Sequence, residues 1–138
     1  MSLRFSIKWE GLDRYREYLA SALPKAFEDS VVEALDKTAD EARDRAKQLV
    51  AVDTGSLRKS IRKERYARPA KNILYTGFRA GGYIVNPKTG RLVDYAKFVE
   101  YGTSRMRPRP YMRPALKWAA KNIERHFWTA LNKRVDVE

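Results

Sequence analysis

Cysteine is absent from this chain of 138 residues. That excludes disulfide scaffolding, thiol catalysis and thiolate metal sites together. Histidine occurs once, as His126. It falls inside a helical pattern near the C-terminus and reads as a residue riding the helix flank, not as a base or a ligand. No Ser–His–Asp set, glycine-rich phosphate loop or metal-ligand cluster is legible, so no cofactor is expected. Apolar runs extend only a few residues, which excludes a membrane span. The N-terminus shows no apolar secretory core, and Met1-Ser2-Leu3 has the form of a cloning scar. There is no internal repeat and no low-complexity tract. What remains suits a globular protein: 43% apolar and 33% charged residues, enough for one domain over 1–138 with a single core.

Acidic residues are also scarce, but only in one part of the chain. Residues 1–55 hold 9 Lys+Arg against 11 Asp+Glu, whereas 56–138 hold 20 against 6. The whole surplus behind the net charge of +12 therefore follows residue 55. A field of this kind attracts polyanions or acidic protein surfaces, unless it is simply a solvated basic face.

The strongest periodic signal runs from Pro24 to about Val50. Val31, Leu35, Ala39, Ala42, Ala46 and Leu49 recur every three or four residues and predict an amphipathic helix. Its small residues invite close approach by the protein's own sheet or by a neighbouring subunit. Glu33/Lys37 and Glu41/Arg45 read as i,i+4 pairs on the other face. Ahead of it, Phe5, Ile7 and Trp9 alternate as on a strand that Gly11 ends, and Leu12–Leu23 suggests a short helix. Residues 61–93 read as β. Asn72–Phe78 is apolar on both faces, as in an inner strand, and 83–93 reads as a variable hairpin around Asn86-Pro87-Lys88-Thr89-Gly90. Asp94–Tyr101 predicts a helix capped by Asp94 and stopped by Gly102. A last helix starts near Pro114, with an apolar stripe of Leu116, Ala120, Ile123, Phe127 and Leu131 and a basic stripe of Lys117, Lys121 and Arg125. The expected architecture is α+β: an antiparallel sheet of about four strands against the long helix and the C-terminal helix.

Asp53-Thr54-Gly55-Ser56 is spelled like the catalytic turn of an aspartic protease. Such an enzyme needs two carboxylates sharing a proton at the tips of strand-flanked loops. Here a long helical pattern precedes Asp53 and Leu-Arg-Lys-Ser-Ile follows, which suits a helical turn. Either Asp53 or Thr54 can cap that turn. The corner is read as architecture, and the chain as non-enzymatic.

Two segments in fixed order carry a family resemblance: VDTGSLRKSI after the long helix, and YAKFVEYGTSRMRPRPYMRPAL before the last one. Together they resemble the tail-component family of tailed phages and prophages that is named after the tenth gene product of a lambdoid siphophage. The matching positions are Val52, Asp53, Thr54, Gly55, Leu57, Arg58, Ser60 and Ile61, then Tyr95, Ala96, Val99, Glu100, Gly102 and Thr103, and last Pro110, Tyr111, Pro114 and Ala115. Ala51 stands where the family has Pro, and Tyr101 and Tyr111 stand where it has Phe. The resemblance spans about Gly11 to Leu131. It implies a virion structural or assembly protein of the head–tail junction, assembled in the bacterial cytoplasm. Such a protein works in tail completion or as one subunit of a homo-oligomeric ring, touching other neck and tail proteins.

The motif residues have physical readings of their own. Gly55 and Gly102 supply backbone conformations that other residues adopt at a cost of about 1 kcal/mol. Leu57, Ile61, Tyr95 and Val99 pack two short helices onto the sheet. Glu100 needs a partner, either Arg58 or a backbone N–H, in a bond within the fold or between subunits. Arg105, Arg107, Arg109 and Arg113, in a stretch read as non-helical, and the run Arg58, Lys59, Arg62, Lys63 and Arg65 would touch an acidic neighbour or the passing DNA. A competing function is therefore sequence-independent nucleic-acid binding, steeply salt-dependent. A dimeric aspartic protease stands third.

Overall fold

A computed structural model describes residues 2–9, 24–70 and 73–135, with the backbone alone for Trp9, Pro24, 65–70 and 73–75. The helix expected over Leu12–Leu23 lies outside the described residues, as does the side chain of Arg65. In chain order the elements are β1 (Leu3–Trp9), α1 (Pro24–Leu49), α2 (Ser56–Ser60), β2 (Arg62–Ala70), β3 (Ile73–Ala80), α3 (Ala96–Tyr101) and α4 (Met112–Arg134).

The architecture is α+β, as the sequence predicts, with three antiparallel strands where about four were expected. Their order is β1-β3-β2, so β3 is the inner strand its apolar run suggested. The hairpin of 83–93 does not join the sheet. It closes on itself through one bridge, Val85 to Leu92, and bonds such as Val93 N–H to the Ile84 carbonyl at 2.8 Å. Its tip turns at Asn86, which accepts from the Lys88 N–H on its side chain and from the Gly90 N–H on its carbonyl.

Register decides which face is covered. Phe5 lies opposite Phe78 and Ile7 opposite Thr76. Because side chains alternate, Phe5, Ile7, Thr76, Phe78 and Ala80 share the inner face, and all but the half-buried Phe5 are buried. On the outer face, one end of the sheet is polar: Glu64 binds Arg4 at 2.6 Å and Arg79 at 2.8 Å. Lys63 is on the inner side by the same alternation, and its amine reaches Asp40 (3.0 Å) and Asp36 (3.6 Å) of α1.

α1 packs on β3 and β2, and on α4, which also meets β1. The partner for the small residues of α1 is thus within the same chain. Ala39, Ala42 and Ala46 are fully buried on one helix, Ala115 and Ala119 on the other. Phe27 and Phe127 meet edge to face, 5.2 Å between centroids. The buried hydroxyls of Ser30 and Thr38 donate to the carbonyls four residues back, at 2.6 Å each, so neither leaves an orphaned polar group in this seam.

Three details of the helices depart from the sequence reading. The apolar stripe of α1 ends on Val50, while Leu49 is 42% exposed. In α4, Leu116, Ile123, Phe127 and Leu131 pack on the core as the spacing predicts, joined by the buried Met112, Ala115, Ala119 and Ala130, while Ala120 is exposed. The carboxylates read as i,i+4 pairs cross to α4 instead. Glu33 binds Arg134 at 2.7 Å and Lys133 at 3.6 Å, and Glu41 binds His126 at 2.6 Å. The Arg134 hydrogen bond holds the Glu33 carboxyl below its ordinary range. His126 is therefore no flank residue. It is buried in the α1–α4 seam, because the helices cross close enough for a carboxylate to reach it.

Candidate functional site

The two motif segments are the walls of one recess. Val52, Leu57 and Arg58 of the Asp-Thr-Gly corner stand across from Tyr95, which precedes α3, from Val99 of α3 and from Met106 and Arg109 of the following loop. The recess, open to solvent on one side, has a volume of about 180 Å³. That is below the roughly 300 Å³ at which small-molecule pockets begin, and is closer to the room one large side chain needs.

The corner forms because a glycine can turn left there. Gly55 has φ 78° and ψ −4°, and its carbonyl accepts the Lys59 N–H at 2.9 Å to start α2. No side chain caps this helix. Of the two candidate caps, Thr54 comes nearer: its hydroxyl oxygen accepts the Ser56 N–H at 3.3 Å. Asp53 turns away, exposed, to meet the Lys88 amine at 2.6 Å. Leu57 and Ile61 enter the core. Ser60 ties the corner to the sheet, its hydroxyl donating to the Leu57 carbonyl (2.6 Å) and accepting the Gly81 N–H (2.8 Å).

Glu100 organises the second wall. Its side chain is fully buried, and its oxygens accept the N–H groups of Tyr111 (2.8 Å), Met112 (2.9 Å) and Arg113 (3.0 Å). A helix start leaves such N–H groups without partners and carries a partial positive charge, so a buried carboxylate from another element satisfies both. The partner of Glu100 is thus backbone within the fold, and not Arg58. Arg113 adds its Nε at 3.3 Å and lies over the Tyr101 ring at 5.0 Å. It belongs to the first turn of α4, which begins at Met112, two residues before Pro114, and not to the irregular loop. Tyr111 is buried, and its hydroxyl donates to the Ala96 carbonyl. Burial, aided by the Glu100 charge, pushes its pKa well up.

Asp94 does not cap α3. The N-cap is Tyr95, without a side-chain bond, and Asp94 is exposed one residue too early. Gly102 does end the helix, with φ 75° and ψ 178°, its N–H bonded to the Phe98 carbonyl. A Cβ there would lie 2.7 Å from the Met106 carbonyl oxygen and from the Pro108 nitrogen. The loop is pinned at both feet. The Thr103 hydroxyl oxygen accepts the N–H groups of Arg105 and Met106, and the Arg109 N–H donates to the Val99 carbonyl at 2.8 Å. Pro110 is exposed at its end.

The basic residues separate into two groups. Arg62 lies over the Tyr83 ring at 4.4 Å and donates to the Gly81 carbonyl; it, Lys63 and the exposed Arg113 all have partners within the chain. Arg58, Lys59, Arg105, Arg107 and Arg109 are exposed. Among the described residues no group of three His, Asp or Glu could hold a metal ion, and no helix is long and apolar enough to cross a membrane.

No curated protein and no solved structure matches the chain. A match to a family does exist, described as "Bacteriophage HK97-gp10, putative tail-component", over residues 13–102. The chain belongs to that family of phage tail components. Membership gives it a structural or assembly role in phage, among other tail proteins. The matched span contains the corner and α3 and stops at Gly102, so Thr103, Pro110, Tyr111 and Pro114 lie beyond it.

Proposed function

We propose that the chain is a non-enzymatic subunit of the head–tail junction, acting in tail completion or in a connector ring on the tail axis. One observation carries the reading within the family: Glu100, Ser60 and Asp53 of the two motif segments are each paired within the chain. All the hydrogen bonds described for Glu100 go to the start of α4, Ser60 joins α2 to the Gly81 turn, and Asp53 is exposed in an ion pair with Lys88. An aspartic protease instead requires its carboxylate beside a second one, sharing a proton. Residues 1–138 then act as a single domain whose use is geometric. Copies of the chain assemble with one another or on a tail template in the host cytoplasm, and enter the virion with neighbouring neck and tail proteins.

Deleting the gene tests this. Electron microscopy should show filled heads and finished tails that stay apart, and light scattering of the purified chain should show discrete rings or a monomer that assembles only on tails. Joined, infective particles from the deletion strain would end the proposal.

A second reading, sequence-blind nucleic-acid binding, is favoured by the exposed Arg105, Arg107 and Arg109 on one loop. Binding of that kind weakens steeply with salt. A gel shift that stays blank at low salt removes it.

A further inference from the structure

We infer that the recess between the Asp-Thr-Gly corner and α3 receives an apolar side chain from an acidic segment of another protein. The inference rests on the head–tail reading for its setting and names the partner chemistry of that site. Its walls are apolar, built by Val52, Leu57, Val99 and Met106, and Val52 and Met106 are themselves 60% and 37% exposed. Two guanidiniums, Arg58 and Arg109, belong to the same recess, both exposed and with no carboxylate partner among the described residues. The acid that also lines it, Asp53, is already bound by Lys88. An apolar slot flanked by exposed arginines complements a hydrophobic side chain with carboxylates beside it, since guanidinium groups bind carboxylates in a fixed fork.

Charge selects among occupants. A second copy is a poor one, because most acids among the described residues are already paired. Glu33, Asp36, Asp40, Glu41, Glu64 and Glu100 all have partners within the chain. Each added copy brings a further net charge of +12. Duplex DNA matches the arginines but offers phosphates on a broad surface and nothing apolar to fill 180 Å³. An acidic polypeptide satisfies both the charge and the slot.

Fluorescence anisotropy on the purified full chain at physiological salt tests this. The probes are peptides Asp-Asp-X-Asp-Asp with X as Leu, Met, Phe or Gly, beside hexaglutamate and a short DNA duplex. At least one of the Leu, Met and Phe peptides should bind about tenfold or more tighter than the Gly peptide and hexaglutamate. The double variant Arg58→Glu/Arg109→Glu should weaken that binding by about tenfold or more. Val52→Trp, at an exposed position and checked for an unchanged melt, should erase the preference for an apolar X while leaving DNA binding as it was. Met106→Trp fills the slot from the other wall and should do the same. Equal binding of the Gly peptide, or a preference that survives both tryptophans, overturns the inference. Its failure is separate from that of the head–tail reading, which falls only if the deletion strain still joins heads to tails.

Discussion

Glu100 and Tyr111 hold each other's helices. The Tyr111 N–H donates to Glu100 Oε2 at 2.8 Å, and the Tyr111 hydroxyl donates back to the Ala96 carbonyl at 3.2 Å, one turn before Glu100. A carboxylate that is fully buried and accepts three backbone N–H groups cannot be exchanged lightly. Glu100→Gln keeps the shape but removes the charge and turns an acceptor into a donor facing N–H groups. It should cost about 3 kcal/mol and lower the melting temperature of the isolated chain by roughly 10 °C. An unchanged melt with impaired assembly would instead place the bond between subunits.

Tyr111 gives a pH signature. Its folded pKa lies above the ordinary value near 10, chiefly through burial. The stability it contributes is therefore complete below that ordinary value. As pH rises further, the unfolded chain loses the phenol proton while the folded chain keeps it, and stability falls. Tyr111→Phe should be less stable by about 1 kcal/mol near neutrality. The gap should narrow and then reverse above about pH 10, as read from urea midpoints across that range.

The two motif glycines should differ. At Gly55 an added Cβ meets nothing within 4 Å, so only the left-handed backbone resists, and Gly55→Ala should cost about 1 kcal/mol. At Gly102 the backbone is in a region nearly confined to glycine, and the Cβ strikes two backbone atoms at 2.7 Å. Gly102→Ala should cost about 3 kcal/mol or more. Equal losses by thermal melting would contradict this.

Asp53→Asn should be nearly silent for stability. The ion pair with Lys88 is short, but its side chains are 72% and 63% exposed, and such pairs contribute about 0–1 kcal/mol. The melt should move by a few degrees at most. Peptide cleavage at acid pH that disappears with this substitution would restore the protease reading.

The elements that could be read in advance are those whose signal is local. α1 was legible because its burial repeats over 26 residues, and β3 as the inner strand because its apolar run breaks alternation. Gly102 was legible because a helix exit of this shape tolerates little else. What escaped depends on distance along the chain. That Glu100 must have a partner could be stated from its apolar setting, but the cap of a helix 11 residues away could not be picked from the alternatives. Glu41 and His126 lie 85 residues apart, and both also fit surface patterns on their own helices. In α4 the larger apolar residues could be read, but the buried Ala115 and Ala119 do not stand out from a chain rich in alanine. Nothing local in Val52 or Met106 says that they share a recess.

The hydrogen bonds of Thr103 and Arg109 also bear on affinity. The segment that presents Arg105, Arg107 and Arg109 has its backbone fixed before any partner arrives. Covering it forfeits little conformational entropy, so the surface is pre-organised. Loosening either foot, as Thr103→Val would, should therefore weaken capture while every guanidinium stays in place.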